Sequence, residues 1–525
     1  MIPMKSVLLT AGCAALLVSG CKNSKRTEVS QQPNILFIMS DDHAMRAISA
    51  YESDLIQTPN IDRLAKEGVI FNNGFVTNSI CSPSRATMLT SKFSHLNGLR
   101  DNRDHFDGSQ NTWVKELRQN GYKTMIVGKW HLKTEPQGFD YWNILIDQGE
   151  YYNPRFIENG DTSVVKGYAT DVITDLALEQ LKAQDKNQPF AMLVHHKAPH
   201  RNWMPHSKNL DLFDDREFEK PSNFYDTYEN RQAAAEQDQE INDMFLSMDF
   251  KLEQEDYGAE TGSGGAGKIM DYAGVWRNIL SRVEEAHLPL WKAHLEERRS
   301  EFLSVKDDPK ALENWKYQTY MKDYLRCIAS VDESVGNILN YLDESGLAEN
   351  TIVVYTSDQG FYLGEHGWYD KRFMYKESHG TPILLRYPAQ VQANQKLDEF
   401  VMNLDFGPTF LDFAGLTVPE EMQGESFKGV VTGHQETAWR NSVYYHYYEY
   451  PHGWHKVKKH YGIRRNNFKL IHFYDDIDTW EMYDLEKDPG EIHNLYGQPG
   501  YEELTDQLKA ELKTLQSKYG DTSMN

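Results

Sequence analysis

The chain has 525 residues, 25% of them charged and 12% aromatic, a composition that excludes a disordered or low-complexity polypeptide. Its formal net charge of -23 excludes attachment to nucleic acid or another polyanion by bulk attraction. An anionic ligand therefore needs a local pocket of positive charge, which favours a small terminal group over a long basic groove.

At the N-terminus, Lys5, the apolar run SVLLTAGCAALLVSG and Cys21 have the layout of a signal peptide, too short to span a membrane as a stable helix. Val18-Ser19-Gly20-Cys21 resembles a bacterial lipobox. That resemblance implies cleavage that leaves Cys21 as a lipid-bearing first residue, with KNSKRTEVSQQ as a tether; the alternative is a secretory signal without lipid. Residues 1–32 thus read as the signal and tether of an exported bacterial lipoprotein, periplasmic or outer-membrane-associated, that meets the membrane through a lipid anchor only. With Cys13 in the signal and Cys21 lipidated, a single disulfide between Cys81 and Cys327 is possible, but no disulfide framework exists. Cys327 lies in YLRCIASVDESVGNIL, whose apolar spacing predicts a buried helix cysteine.

From residue 33 strands and helices alternate. ILFIM reads as a buried strand ending in Ser40-Asp41-Asp42-His43. TPNIDRLAKEG predicts a short helix capped by Thr58, and GVIFNNGFV a strand that delivers the chain to Cys81. The helix NTWVKELRQNG precedes the strand YKTMIVGKWHL; the helix GYATDVITDLALEQLKAQ precedes PFAMLVHHKAPH. VDESVGNILNYLDESG predicts a helix before the strand TIVVYTSDQG, and TPILLRYP another strand. The alternation implies an α/β layered domain, residues 33–435, with a mainly parallel sheet. Ligands of such sheets bind beyond the strands' carboxyl ends, where four polar clusters fall here: SDDH, GKWH, HHKAPH and SDQG. Residues 204–320 are charged and helical in spacing, an insertion that shapes the entrance to the site or decorates the surface. Within it GSGGAGKI, Gly262 to Ile269, fails the phosphate-loop pattern at Ile269 and reads as a flexible glycine loop. Residues 436–525 carry SVYYHYYEY, a hairpin turning at Asn466-Asn467, TWEMYDL and a helix with the apolar stripe Leu504, Leu508, Leu512 and Leu515. They predict a small antiparallel sheet covered by that helix.

The stretch CSPSRATMLTS carries the chemistry. Ser82-Pro83 is a helix-start signal, placing Cys81 just before a helix N-terminus, where backbone N–H groups favour negative charge. Arg85 lies one turn in and can point back at the same spot; a thiolate would suit that position. The stretch resembles the signature of the type I sulfatases, C-x-P-S-R-x-x-x-L-T-G, with Ser91 where glycine is usual. The resemblance implies oxidation of Cys81 to formylglycine by a separate formylglycine-generating enzyme, the aldehyde hydrate then serving as nucleophile. Two adjacent carboxylates, Asp41 and Asp42, and the pair Asp358-Gln359 offer hard oxygen ligands suited to calcium or magnesium. In the family the matching residues hold one calcium ion, which also contacts the modified Cys81; Gln359 stands where Asn or His is commoner. By the same resemblance Lys129 binds the nucleophile and the sulfate, His131 takes the proton from the hydrate when the sulfated intermediate collapses, His200 protonates the leaving alkoxide and Lys371 bridges sulfate and leaving oxygen. His195 and His196 are supporting residues. The family fold is an alkaline-phosphatase-like α/β/α sandwich with a smaller C-terminal antiparallel-sheet domain packed by a helix.

HHKAPHRNWMP, SDQGFYLGEHGWYDKRFMY and YGIRRNNFKLIHFY resemble the bacterial carbohydrate sulfatases related to N-acetylglucosamine-6-sulfatases. This implies an exo-acting N-acetylglucosamine-6-O-sulfatase on heparan-type or mucin glycans. Asp370 and Arg372, which flank Lys371 and can hydrogen-bond ring hydroxyls, and His455, in YEYPHGWHKVKKHYG, are expected to contact the sugar; the alternative for that run is a solvated hairpin with a few core tyrosines. The alternatives are a sulfatase for galactose, N-acetylgalactosamine or uronic acid sulfates, and a phosphonate or phosphodiester hydrolase of the same superfamily. A cysteine-thiolate enzyme and a non-enzymatic glycan-binding lipoprotein are rivals from other classes. No nucleic-acid partner is expected.

Overall fold

The computed structural model describes Met1 and residues 32–258, 272–435 and 438–523; Cys13, Cys21, the rest of the signal and the glycine loop at 262–269 lie outside the described residues. Among the described residues ten strands form one sheet. In chain order the strands are β1 Asn34–Ser40, β2 Val69–Phe71, β3 Gly74–Phe75, β4 Lys123–Lys129, β5 Tyr141–Leu145, β6 Arg155–Glu158, β7 Asp161–Val164 and β8 Phe190–His195. Then follow β9 Thr351–Ser357, β10 Ile383–Arg386, β11 Gln395–Leu397 and β12 Val401–Met402. The sheet order is β11-β2-β10-β9-β1-β8-β4-β5-β6-β7, while β3 and β12 pair separately.

The centre of this sheet is parallel and buried on both faces, which is why β1, β8 and β9 read as unbroken apolar runs. Alternate residues serve two cores. Leu36 and Ile38 of β1 join Met192, Val194, Val353 and Tyr355 on one face; Ile35, Phe37, Ala191, Leu193, Ile352 and Val354 face the other. Register then does the work for the site. Ser40 pairs with Ser357, Met39 with His195, and His195 with Gly128, so four adjacent strands end at one level. Gly128 sits at φ +98, and a Cβ there would stand 2.0 Å from the His195 carbonyl oxygen, so only glycine lets β4 close against β8 at that level.

Several local expectations are corrected. GVIFNNGFV is two strands, β2 in the large sheet and β3 beside β12, because the chain leaves the sheet after Phe71. The short helix begins at Ile61, not at a Thr58 cap: the Asp332 carboxylate, from a distant helix, accepts from the backbone N–H of Asn60 (3.0 Å) and Ile61 (2.9 Å). The helix predicted at VDESVGNILNYLDESG is the last part of one long helix, Pro309–Ser345, that also holds the buried Cys327. Cys327 and Cys81 are both free thiols, so the possible disulfide is absent. Helices between β8 and β9 bury Trp276, Trp291 and Trp315 in the same core as Leu36 and Ile38.

The C-terminal sheet is antiparallel, β13 Ser442–Tyr447, β14 His460–Arg465, β15 Phe468–Phe473 and β16 Thr479–Asp484 in sequential order. One face packs on Leu508, Leu512 and Leu515 of the helix Glu502–Tyr519; Leu504 is only partly buried. The opposite face, through Tyr445, Tyr447, Ile471 and Phe473, clamps Trp368, Phe373 and Tyr375. That contact fixes the loop that carries Lys371. Replacing Asp332 by alanine removes the cap on the Ile61 helix and is expected to lower stability by about 1–2 kcal/mol in urea unfolding. Unchanged stability would mean that solvent caps the helix equally well.

Candidate active site

The four strand ends bring the predicted residues together. Cys81 is the first residue of the helix Cys81–Thr90, preceded by extended Ile80; it does not lie before the helix, and Ser82 is not the cap. The Ser82 hydroxyl is drawn instead to the His131 carbonyl (2.7 Å) and lies 3.2 Å from His131 Nδ1, fixing the ring. The Cys81 side chain is buried. Burial pushes its thiol well above the usual range; Lys371 and Lys129 pull it down while Asp41 and Asp358 push it up. The thiolate reading is therefore corrected: this position disfavours an ionised cysteine.

Arg85, expected to point back at position 81, pairs with Asp358 through Nε (3.0 Å) and Nη2 (2.9 Å), while its Nη1 donates to the Lys129 carbonyl (2.8 Å). Lys129 Nζ bonds Asp41 and also donates to Gln148 Oε1 at 2.5 Å. Lys371 Nζ reaches both oxygens of Asp42, at 2.6 and 2.7 Å. His200 donates from Nδ1 to the Arg201 carbonyl (2.7 Å), which turns Nε2 toward Asp42, 3.9 Å away. Each carboxylate thus faces a buried cation, and the cations enter from a helix (Arg85), a strand end (Lys129) and a loop (Lys371).

The carboxylates remain crowded. Asp41, Asp42 and Asp358 offer oxygens that lie within 4.8 Å of one another. Burial and the neighbouring Asp41 push Asp358 up to about 8; burial raises Asp42 to about 6 against the pull of Lys371. Asp41, although buried, is held well below the usual carboxylate range by Lys129, His200 and Arg85. Among the described residues Asp41 Oδ1 and Gln359 Oε1 are buried without a hydrogen-bond partner, while Gln359 Nε2 donates to Asp42 (2.5 Å) and Asp358 (2.8 Å). Three clustered carboxylates, an orphaned oxygen and an amide that presents its oxygen on rotation form a donor set that fits a hard divalent cation. A second group, Asp41, Cys81 and His200, shares Asp41 with the first.

Asp370, Arg372 and His455 form their own cluster beside Lys371. Asp370 accepts from Arg372 Nη1 (2.5 Å) and lies 3.0 Å from His455 Nε2. Asp42, His131, Asp370, Arg372 and His455 all have φ between +55 and +98. Such strain in non-glycine residues persists only where surrounding contacts impose it, as the ion pairs and hydrogen bonds of this site do. His195 lies beneath the site, its Nδ1 3.2 Å from the Lys129 carbonyl, whereas His196 turns to Ser334. Sequence reasoning missed Gln148, which follows the unpredicted β5, and Glu449, 3.5 Å from Arg372. It also missed Asn403, which donates to Ser84. No local motif marks these residues; only the fold brings them in.

The family model for sulfatases matches residues 33–416. The chain belongs to the sulfatase family. A second model, the C-terminal region of N-sulphoglucosamine sulphohydrolase, matches residues 364–518 of this sulfatase. The N-acetylglucosamine-6-O-sulfatase of Bacteroides thetaiotaomicron is 48% identical over 516 residues, 97% of this chain and 90% of that protein. A solved structure, in complex with its substrate D-glucosamine-2-N,6-O-disulfate, superposes with a TM-score of 0.88 at 47% identity, covering 94% of this chain and 99% of that one. A phosphonate monoester hydrolase of Agrobacterium radiobacter shares the fold alone, with a TM-score of 0.65 at 19% identity, over 93% of this chain and 96% of that one. The alkaline-phosphatase-like α/β architecture with its small C-terminal sheet is thus that of the family.

If the carboxylates form a cation site, calcium or magnesium raises the melting temperature of the wild-type sulfatase in a concentration-dependent way. Asp358→Asn, which removes a ligand charge, is expected to abolish most of that rise. An equal rise in both proteins would place the bound cation elsewhere.

Proposed function

We propose that this sulfatase removes the 6-O-sulfate from N-acetylglucosamine or N-sulfated glucosamine at the non-reducing end of heparan-type or mucin glycans. The observation that carries the reading is the 48% identity, sustained over 97% of the chain, to an N-acetylglucosamine-6-O-sulfatase. Identity of that depth spans both the strand-end site and the C-terminal segment that supplies His455.

Asp41, Asp42, Asp358 and Gln359 would hold a calcium ion, which supplies positive charge to the transferring sulfate. Position 81, once converted to formylglycine, supplies a hydrated aldehyde as the nucleophile. Arg85 fixes the Asp358 carboxylate and the Lys129 carbonyl. Lys129 and Lys371 bind the sulfate oxygens; their present partners, Asp41 and Asp42, hold both ammonium groups in place before substrate arrives. His200 presents Nε2 to the leaving oxygen. Burial together with Lys129 and Lys371 holds this imidazole well below its usual pKa, and the negative charge of a bound sulfate ester opposes both lysines. It can then carry a proton to the sugar alkoxide, a poor leaving group that needs a general acid. His131, oriented through Ser82, serves as the base at position 81. Asp370, Arg372 and His455 contact the sugar hydroxyls. Export as a lipoprotein anchored through Cys21, in the periplasm or at the outer membrane, and maturation by a formylglycine-generating enzyme complete the reading.

The test is sulfate release from a panel of glucosamine, galactose and hexuronate sulfates and a phosphonate monoester, with Cys81→Ala as control. Selective release from glucosamine 6-O-sulfates, lost by roughly 10³-fold or more in the control, is the expected result. Preference for another sugar would keep the sulfatase chemistry and overturn the substrate. Preference for the phosphonate would overturn both.

A further inference from the structure

The residues that flank two catalytic groups meet at a third place. His200 and Lys371 both face Asp42, at 3.9 and 2.6 Å. The residue after His200 is Arg201, and the residue before Lys371 is Asp370. Arg201 is clamped by Asp249 through Nε (2.7 Å) and Nη2 (2.5 Å), and its guanidinium lies 5.5 Å from the centre of the Trp454 ring. Asp370 meets His455, the immediate neighbour of Trp454. Contacts and chain adjacency thus connect His200, Arg201, Trp454, His455, Asp370 and Lys371 in one circuit.

The indole is presented deliberately. His455 and Lys456 adopt φ of +71 and +51, a left-handed turn of two successive non-glycine residues. The turn is fixed from outside: His455 Nδ1 donates to the Asp238 carbonyl (2.8 Å), and Lys456 pairs with the Asp238 carboxylate (3.0 Å). Trp454 is nevertheless only half-buried, and its Nε1 makes no hydrogen bond to a described residue. A tryptophan with one face against a guanidinium, an unpartnered N–H and a strained support is poorly explained as core packing. It has the make-up of a sugar platform, an apolar face for ring C–H groups with a donor at its edge.

We infer that Trp454 is the specificity-determining platform on which the ring of the sulfated sugar stacks, with Arg201, held by Asp249, bracing the indole from behind. The inference rests on the carbohydrate-sulfatase reading above. It assigns to one side chain the affinity for the sugar, as distinct from the sulfate.

The experiment compares wild type, W454A and W454F, with Cys81 converted in each, on glucosamine 6-O-sulfate. Loss of a stacking contact is expected to raise KM about threefold to tenfold in W454A, with kcat within about twofold and most of the KM recovered in W454F. Inhibition by unsulfated N-acetylglucosamine should weaken in parallel. An unchanged KM and inhibition constant in W454A would overturn the inference. So would a fall in kcat at constant KM, because misplacement of His200 or Lys371 would then be the cause. If W454A does not fold, W454F and the inhibition constant of the free sugar decide between stacking and bulk. If wild type leaves glucosamine 6-O-sulfate untouched, the substrate reading fails, and the same variants are compared on the sugar sulfate that it does hydrolyse.

Discussion

Three buried carboxylates, placed side by side at the ends of parallel strands, set the terms for this molecule. Ionised together in a low-dielectric interior they would repel, and burial alone would neutralise them. The fold answers with Arg85 on Asp358, Lys129 on Asp41 and Lys371 on Asp42. Each cation comes from a different segment, so the site exists only when the parallel sheet, the Cys81 helix and the loop under the C-terminal sheet are all in place. The positive φ angles at Asp42, His131, Asp370 and Arg372 mark where the chain yields to that demand.

This arrangement also explains how an acidic protein can recognise an anion. The formal charge of -23 belongs to the whole chain, whereas at the site Arg85, Lys129 and Lys371 each offset one of the three buried carboxylates. A divalent cation held among the carboxylates would tip the local balance toward attraction.

Much of this was legible in the sequence because the determinants are local. Apolar runs of strand length followed directly by SDDH, GKWH and SDQG announce buried parallel strands with polar ends, and CSPSR binds modification and anion pocket into one stretch. What stayed hidden depends on contacts between distant segments. Asp332 caps a helix 271 residues earlier, overriding the local signal at Thr58. Gln148 follows a strand that lacks a clear alternation, and Trp454 and Glu449 sit in an aromatic run whose composition suits a plain hairpin equally well. Asp370, Arg372 and His455 were visible as polar candidates, but their mutual pairing was not, since only the packing of the C-terminal sheet against Trp368 and Phe373 brings His455 to Asp370.

Cys81 acts only after its thiol has been replaced by an aldehyde, because burial holds the thiol in its neutral form against the pull of Lys371 and Lys129. The most direct measurement pairs the mass of the peptide containing Cys81 with sulfate release, in preparations made with and without the converting enzyme. The account predicts that release rises in proportion to the fraction in which sulfur has been exchanged for oxygen, and vanishes in fully unconverted protein. Equal turnover by protein that retains the thiol throughout would contradict it.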